Sequence, residues 1–435
     1  MSHSTASPRE TALLVGLAVP GIPAWEAEDS LDELGRLADT ATLEVLERVL
    51  QVRRRIDPAY YIGKGKVGEL KKLAKRVAAD MIIFDNDLSP AQVRNLENLT
   101  DIRILDRSAL ILDIFSRHAR TKTAKVQVEL AQLNYLLPRL TRQWTHLSRQ
   151  AGGGAIRGMG AAGVRGPGET QLETDRRLIR SRIGALQREL DRISSQFQTS
   201  RKSRSDAFRV GIVGYTNAGK STLMRALSGS DVLVEDQLFA TLDSTTRAVD
   251  LDHNRKILLT DTVGFIKRLP HHLFASFRAT LEETVEADLL LHVVDLSYPH
   301  HDIQMETVQS VLVDLEVESK PTILVFNKID LLQDGNDVSV STTAGASKND
   351  PDRIAVSAAE GIGLDDLRER ILFFSQSKEV TLDLKIPQGE GRLLSQLHEE
   401  GEILEQDYDM QEVRLRVRLE KSWAERWKLA RYVLN

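Results

Sequence analysis

Gly214-Tyr215-Thr216-Asn217-Ala218-Gly219-Lys220-Ser221, followed by Thr222, has the spacing G-x-x-x-x-G-K-S. Ahead of it, residues 208–213 form an apolar run of buried-strand length; behind it, residues 222–227 read as helix. Strand, glycine-rich turn and helix are the context in which this motif cradles phosphate. The glycines let backbone N–H groups turn inward on phosphate oxygens, and the helix adds the positive end of its dipole. Lys220 then reaches the β- and γ-phosphates of a nucleotide, and the Ser221 hydroxyl is placed on Mg2+. A glycine-rich turn with an incidental lysine has the same spacing, so the later motifs decide.

Residues 256–260 form a second apolar strand, ending in Asp261-Thr262-Val263-Gly264. A strand-end aspartate holds Mg2+ through water, and the glycine gives an N–H room to reach a γ-phosphate. Between these motifs lies Leu238-Phe239-Ala240-Thr241-Leu242-Asp243-Ser244-Thr245-Thr246, a candidate switch segment. A switch needs one threonine that ligates Mg2+ when the γ-phosphate is present. Spacing does not choose among Thr241, Thr245 and Thr246.

Residues 288–294 and 321–326 are further buried strands, the latter ending in Asn327-Lys328-Ile329-Asp330. The Asp330 carboxylate can accept from both N1–H and the 2-amino group of guanine. Adenine offers neither, so a site built this way rejects it by about 10⁴ or more. Asn327 and the Lys328 stem are expected to brace the base. Ser357-Ala358-Ala359, after a strand at 353–356, is expected to turn backbone N–H groups toward guanine O6. These motifs all fall where successive parallel strands end, the ligand edge of such sheets. Their order reads as a site for GTP or GDP.

At 435 residues the chain exceeds one ordinary domain. Its charged fraction of 28% and hydrophobic fraction of 41% are those of soluble globular protein. Zero cysteines exclude disulfides and thiolate zinc sites and suit a reducing cytoplasm. No signal pattern opens the chain, and no apolar run approaches the roughly 20 residues of a membrane helix. With a net charge of −5, any nucleic-acid surface has to come from local segregation of charge.

Four regions are expected: an α/β domain over 1–115, a helical hairpin with a Gly/Arg-rich loop over 116–205, the nucleotide domain over 206–376, and an α/β module over 377–435. In the first, strands at 11–19, 43–52, 81–84 and 102–105 alternate with helices at 31–38, 67–78 and 88–96, with Ser30 and Ser89 as caps. Its basic run from Arg53 to Arg76 is either a solvated face or a phosphate-contacting surface. In the second, apolar stripes at helical spacing run over 123–137, stopped by Pro138, and over 170–204.

Between those helices lies a lead that cannot pack a core. Its Arg149, Arg157 and Arg165 join Arg176 and Arg177 as candidate contacts to RNA phosphates, with Trp144 and His146 as stacking groups. The bland reading of the lead is a flexible linker, but a linker need not be rich in arginine. The His271-His272 and His300-His301 pairs are read as loop residues, not metal ligands. Residues 331–351 read as a disordered surface loop. In the last region, strands at 380–386 and 413–419 and helices at 390–400 and 423–433 are expected, with Trp423 and Trp427 in the core.

Several longer stretches resemble the HflX family of ribosome-associated GTPases. They are residues 61–66 (YIGKGK), 88–92 (LSPAQ), 106–115 (DRSALILDIF), 127–140 (QVELAQLNYLLPRL), 165–169 (RGPGE), GYTNAGKSTL from Gly214 and DTVGFI from Asp261. The resemblance implies a P-loop GTPase that binds the large ribosomal subunit, contacts its rRNA and splits stalled or idle ribosomes. It selects Thr241 as the Mg2+-binding switch threonine. Ser244 departs from the family's usual proline without touching Thr241. The family is also associated with ATP binding in its N-terminal part, but no second phosphate loop is present here.

Phe265 stands where many GTPases carry a water-positioning glutamine, so hydrolysis by the chain alone should be slow. Asn217 is either a turn residue or the asparagine with which potassium-activated relatives hold K+. The competing function is a regulatory switch acting through a protein partner. A tRNA-modifying GTPase loses ground because the cysteine near the C-terminus of such enzymes is absent. The chain is expected to be a monomer.

Overall fold

The computed structural model describes residues 9–21, 23–140, 171–202, 208–229, 238–239, 245–252, 255–268, 284–332, 351–376, 379–409 and 411–434. Among them, three sheets organise the chain.

The first sheet contains β1 (Thr11–Ala18), β2 (Glu44–Val52), β3 (Met81–Phe84) and β4 (Arg103–Asp106), all parallel, in the order β2-β1-β3-β4. The central strands are apolar almost throughout because helices cover both faces. Those helices are α1 (Ala24–Thr40), α2 (Lys64–Val77), α3 (Pro90–Thr100) and α4 (Arg107–His118). Ser89 starts α3 with a capping box completed by Gln92, as its place in the sequence suggests. Ser30 does not cap. The helix begins at Ala24, and Ser30 is buried inside it, its hydroxyl donating to Asp85 at 2.7 Å. The unforeseen α4 opens on Asp106, whose carboxylate accepts from the Ala109 N–H.

Helices α5 (Lys122–Leu136) and α6 (Gln171–Lys202) follow and pack through Val126, Leu130 and Leu186. A two-pronged Arg182–Glu129 pair flanks that contact. The lead with Arg149, Arg157 and Arg165, like Trp144 and His146, lies outside the described residues.

The second sheet is the doubly wound one. It contains β5 (Phe208–Gly214), β6 (Thr245–Asp252), β7 (Arg255–Asp261), β8 (Leu289–Asp295), β9 (Thr322–Asn327) and β10 (Arg353–Ala355), ordered β10-β9-β8-β5-β7-β6. Only the edge strand β6 runs antiparallel among these six. Helices α7 (Lys220–Ser228), α8 (His301–Asp314) and α9 (Leu364–Gln376) accompany it.

The third sheet is antiparallel: β11 (Glu379–Pro387), β12 (Glu402–Tyr408) and β13 (Glu412–Glu420) in the order β11-β13-β12, with α10 (Gly391–Glu400). Strand β12 is exposed along most of its length and so carries no apolar alternation to betray it. The helix expected at 423–433 is split into α11 (Lys421–Arg426) and a 3-10 turn (Leu429–Tyr432), with Lys428 left-handed between them. Trp423 and Trp427 pack against this sheet's core. No described helix is long and apolar enough to cross a membrane.

One buried cluster crosses from the first sheet to the second. It runs through Leu34, Ile111 and Phe115 to Tyr215, Phe239, Phe265 and Ile266. Phe115 meets Phe239 edge-to-face, ring centres 4.7 Å apart. Emptying that position with Phe115→Ala should cost about 3–5 kcal/mol. The measurement is the thermal melting curve, which should move to lower temperature; an unmoved curve would show that the two sheets do not share this core.

Candidate functional site

The phosphate loop joins the carboxyl end of β5 to α7, and its shape is set by backbone constraints. Gly219 has φ +93°, and a Cβ there would lie 2.2 Å from Asn327 Nδ2. Asn217, exposed at the tip, also has positive φ. Lys220 is buried, and its Nζ donates to the Tyr215 carbonyl at 2.8 Å. Burial lowers its pKa to about 8, against the pull of nearby Asp261. An anion placed beside it would restore the full charge, which is what a phosphate-binding lysine has to gain.

The Asp261-Thr262-Val263-Gly264 turn lies directly against this loop. Thr216 N–H donates to the Phe265 carbonyl (2.7 Å), and Phe265 N–H donates to the Gly214 carbonyl (3.1 Å). Gly264 admits no side chain, since a Cβ would lie 2.8 Å from Thr216 Cα and 2.9 Å from Lys220 Nζ. The Thr262 hydroxyl donates to the Ile212 carbonyl and pins the turn to β5. Val263 and Phe265 are buried, Phe265 in the core shared with the first sheet.

Ser221 Oγ donates to Asp261 Oδ2 at 2.6 Å, so the hydroxyl and the carboxylate expected around Mg2+ are brought together. Hard oxygen donors, few in number and beside a phosphate site, fit Mg2+, which keeps waters and phosphate oxygens as its other ligands. Of the expected switch, Ala240, Thr241, Leu242 and Asp243 lie outside the described residues. Phe239 is described: its N–H donates to Thr216 Oγ1 at 3.2 Å. Thr245 and Thr246 begin β6, and the Thr246 hydroxyl is hydrogen-bonded to that of Thr260 at 3.0 Å.

Asn327 ties the two halves of the site together. Its Nδ2 donates to the Ala218 carbonyl of the phosphate loop (2.9 Å), and its Oδ1 accepts from Ala358 N–H (3.0 Å). Lys328, left-handed with φ 66°, pairs with Asp295 at 2.7 Å. The Asp330 carboxylate is exposed and accepts from Ser357 Oγ at 2.5 Å. Ile329 packs beside it against Val294, Leu296 and Phe326, and exposed Ala359 continues the Ser357 loop. Thr222 lies in the first turn of α7. Arg176 and Arg177 stand apart on α6, where Arg176 donates to the Leu140 carbonyl.

Glu33 was not foreseen. It lies 182 residues from Tyr215 in sequence, yet accepts from the Tyr215 hydroxyl at 2.6 Å. No local pattern marks such a contact.

Family models match along most of the chain. They are described as GTP-binding GTPase N-terminal (residues 28–116), GTP-binding GTPase Middle Region (118–204) and 50S ribosome-binding GTPase (209–328). The protein named GTPase HflX of Caldanaerobacter subterraneus subsp. tengcongensis is 44% identical over 406 residues, 93% of this chain and 90% of that one. Its namesake in Escherichia coli K12 is 43% identical over 385 residues, 87% and 88% of the two chains. A solved GTP-binding protein of Sulfolobus solfataricus in complex with GDP is 26% identical, over 85% of this chain and 99% of that one, with a TM-score of 0.42.

Asn327→Ala should leave the buried Ala358 N–H without its acceptor and destabilise the chain by about 1–3 kcal/mol. Chemical denaturation followed by circular dichroism measures it, and a wild-type midpoint would show that Asn327 is not the brace described.

Proposed function

The chain belongs to the HflX family of GTPases, and on that premise we propose that it binds GTP in this site and hydrolyses it to GDP and phosphate on the large (50S) ribosomal subunit, separating stalled or idle ribosomes into subunits. The observation that carries the nucleotide reading is the pair of hydrogen bonds made by Asn327, one donated and one accepted. They hold the phosphate loop and the Ser357-Ala358-Ala359 loop at one end of the sheet, with exposed Asp330 bonded to Ser357 beside them.

In this reading Lys220 and amides of the loop from Gly214 to Ser221 hold the phosphates, the Thr216 N–H excepted because it donates to the Phe265 carbonyl. Asp330 accepts from guanine, while Asn327 and the Lys328 stem flank the base. Ser221 and Thr241 would ligate Mg2+, with Asp261 acting through water; the ion would supply neutralisation of phosphate charge. The Gly264 N–H would donate to a γ-phosphate, a reading supported by how closely Gly264 packs on Thr216 and Lys220 of the phosphate loop. Asn217, exposed at the loop tip, is available to K+.

Phe265 is 2% exposed and turned into the shared core, so it takes no part in orienting water. The missing group is then supplied on the ribosome, which supports a switch that fires only when docked. Arg149, Arg157, Arg165, Arg176 and Arg177 are the proposed rRNA contacts, and the chain acts in the cytoplasm as a monomer.

Asp330→Asn replaces an acceptor with a donor opposite the 2-amino group. GTP affinity should fall about 100-fold or more while xanthosine triphosphate, with a carbonyl there, gains. Competition binding of the two nucleotides reads this, and an unchanged preference removes the assignment of Asp330. Added large subunits should raise the rate of GTP turnover by about 10³–10⁵, and GTP should shift sedimenting ribosomes toward separate subunits. Turnover indifferent to ribosomes would end the ribosomal reading.

A further inference from the structure

We propose that Glu33 is a positioning residue for the nucleotide site: acting through the Tyr215 hydroxyl, it ties the phosphate loop and the segment after Gly264 to the first sheet, so that docking of that sheet sets how long a guanine nucleotide is held. The inference rests on the guanine-nucleotide reading above and adds a control to it.

Tyr215 is the first variable residue of the phosphate loop, and it is used at both ends. Its carbonyl receives Lys220 Nζ at 2.8 Å. Its hydroxyl donates to Glu33 Oε1 at 2.6 Å and accepts from the Lys267 N–H at 2.7 Å. One residue thus links the phosphate lysine through its backbone carbonyl, and the third residue after Gly264 and helix α1 through its hydroxyl. Burial, then the Glu33 charge, hold the Tyr215 pKa well above its usual value, which keeps the phenol a donor.

Glu33 is itself fixed. Its second carboxylate oxygen is paired with Arg107, and Arg107 also reaches Asp85 at 2.8 Å; all three side chains are nearly inaccessible. Asp85 lies just past the carboxyl end of β3, beside β1, the edge at which parallel sheets bind ligands. Here that edge receives part of the same chain. Arg268 reaches Asp85 at 3.1 Å, and Lys267 Nζ reaches Glu26 at 2.6 Å. The two residues that follow Phe265 and Ile266 are therefore both held by acids of the first α/β domain, Glu26 on α1 and Asp85 just past β3. A movement of the Gly264 turn on nucleotide binding or loss has to pull on these contacts, and loss of the contacts frees the phosphate loop to open.

Release of a fluorescent GDP from the full chain, chased with excess GDP, tests this. Tyr215→Phe keeps the ring in the shared core and removes only the hydroxyl. Glu33→Gln leaves a single acceptor oxygen, which Arg107 claims, and turns an NH2 toward the phenol. Each variant should release the nucleotide about 5-fold or more faster than wild type. The double variant should be no faster than the faster single one, because both break the same link. Rates within twofold of wild type, or a double effect equal to the product of the singles, overturn the proposal; the latter is the signature of independent structural damage. A wild-type chain that fails to hold the fluorescent GDP overturns the underlying nucleotide reading instead, a result distinct from both.

Discussion

Arg107 is a guanidinium at 2% exposure, and that fact constrains the molecule more than any other. A buried cation is tolerable only when it is paired and hydrogen-bonded. Burial works against its charge, but Glu33 and Asp85 together hold its pKa above the usual value. Those two acids reach it from different elements, α1 and the end of β3, so the pairing fixes α1 and α4 against the sheet. Each acid also turns an oxygen to the nucleotide domain: Glu33 accepts from Tyr215, and the Asp85 oxygen that accepts from Ser30 is shared with Arg268. The nucleotide sheet is therefore seated on the first one by satisfied charges as well as by the apolar cluster around Phe115 and Phe239.

The candidate site follows from that seating. Its phosphate loop is shaped on one side by Asn327 and on the other by Tyr215, so the loop is braced between β9 and the first α/β domain. Phe265, buried in the shared core, holds the Gly264 turn close but contributes no polar group to the reaction. In the proposed reading, a site that receives its water-positioning group from the ribosome holds the nucleotide and turns it over slowly when alone. Such a device suits regulated hydrolysis better than rapid catalysis.

Much of the candidate site's backbone geometry was legible because it is set locally. The phosphate loop, Asp261-Thr262-Val263-Gly264 and Asn327-Lys328-Ile329-Asp330 each end an apolar strand, and short-range sterics and hydrogen bonding dictate their residue types. The central parallel strands β1, β3, β5 and β8 could be read because burial on both faces leaves nearly continuous apolar runs. Strands β6 and β12 were missed because edges need no such run: β6 begins with the very threonines read as switch candidates, and β12 is mostly exposed. Ser30 resembled a helix cap, but its hydroxyl serves Asp85, a partner 55 positions away. The Glu33–Tyr215 bond is the extreme case, in which neither residue carries a mark of the other.

Hydrogen–deuterium exchange on the full chain, with and without GDP, bears most directly on the union of the two sheets. Helix α1 makes none of the proposed nucleotide contacts, yet its amides around Glu33 should exchange more slowly when GDP binds, because the phosphate loop is tied to them. Protection confined to residues 208–229, 255–268 and 322–359, with α1 unchanged, would contradict that union.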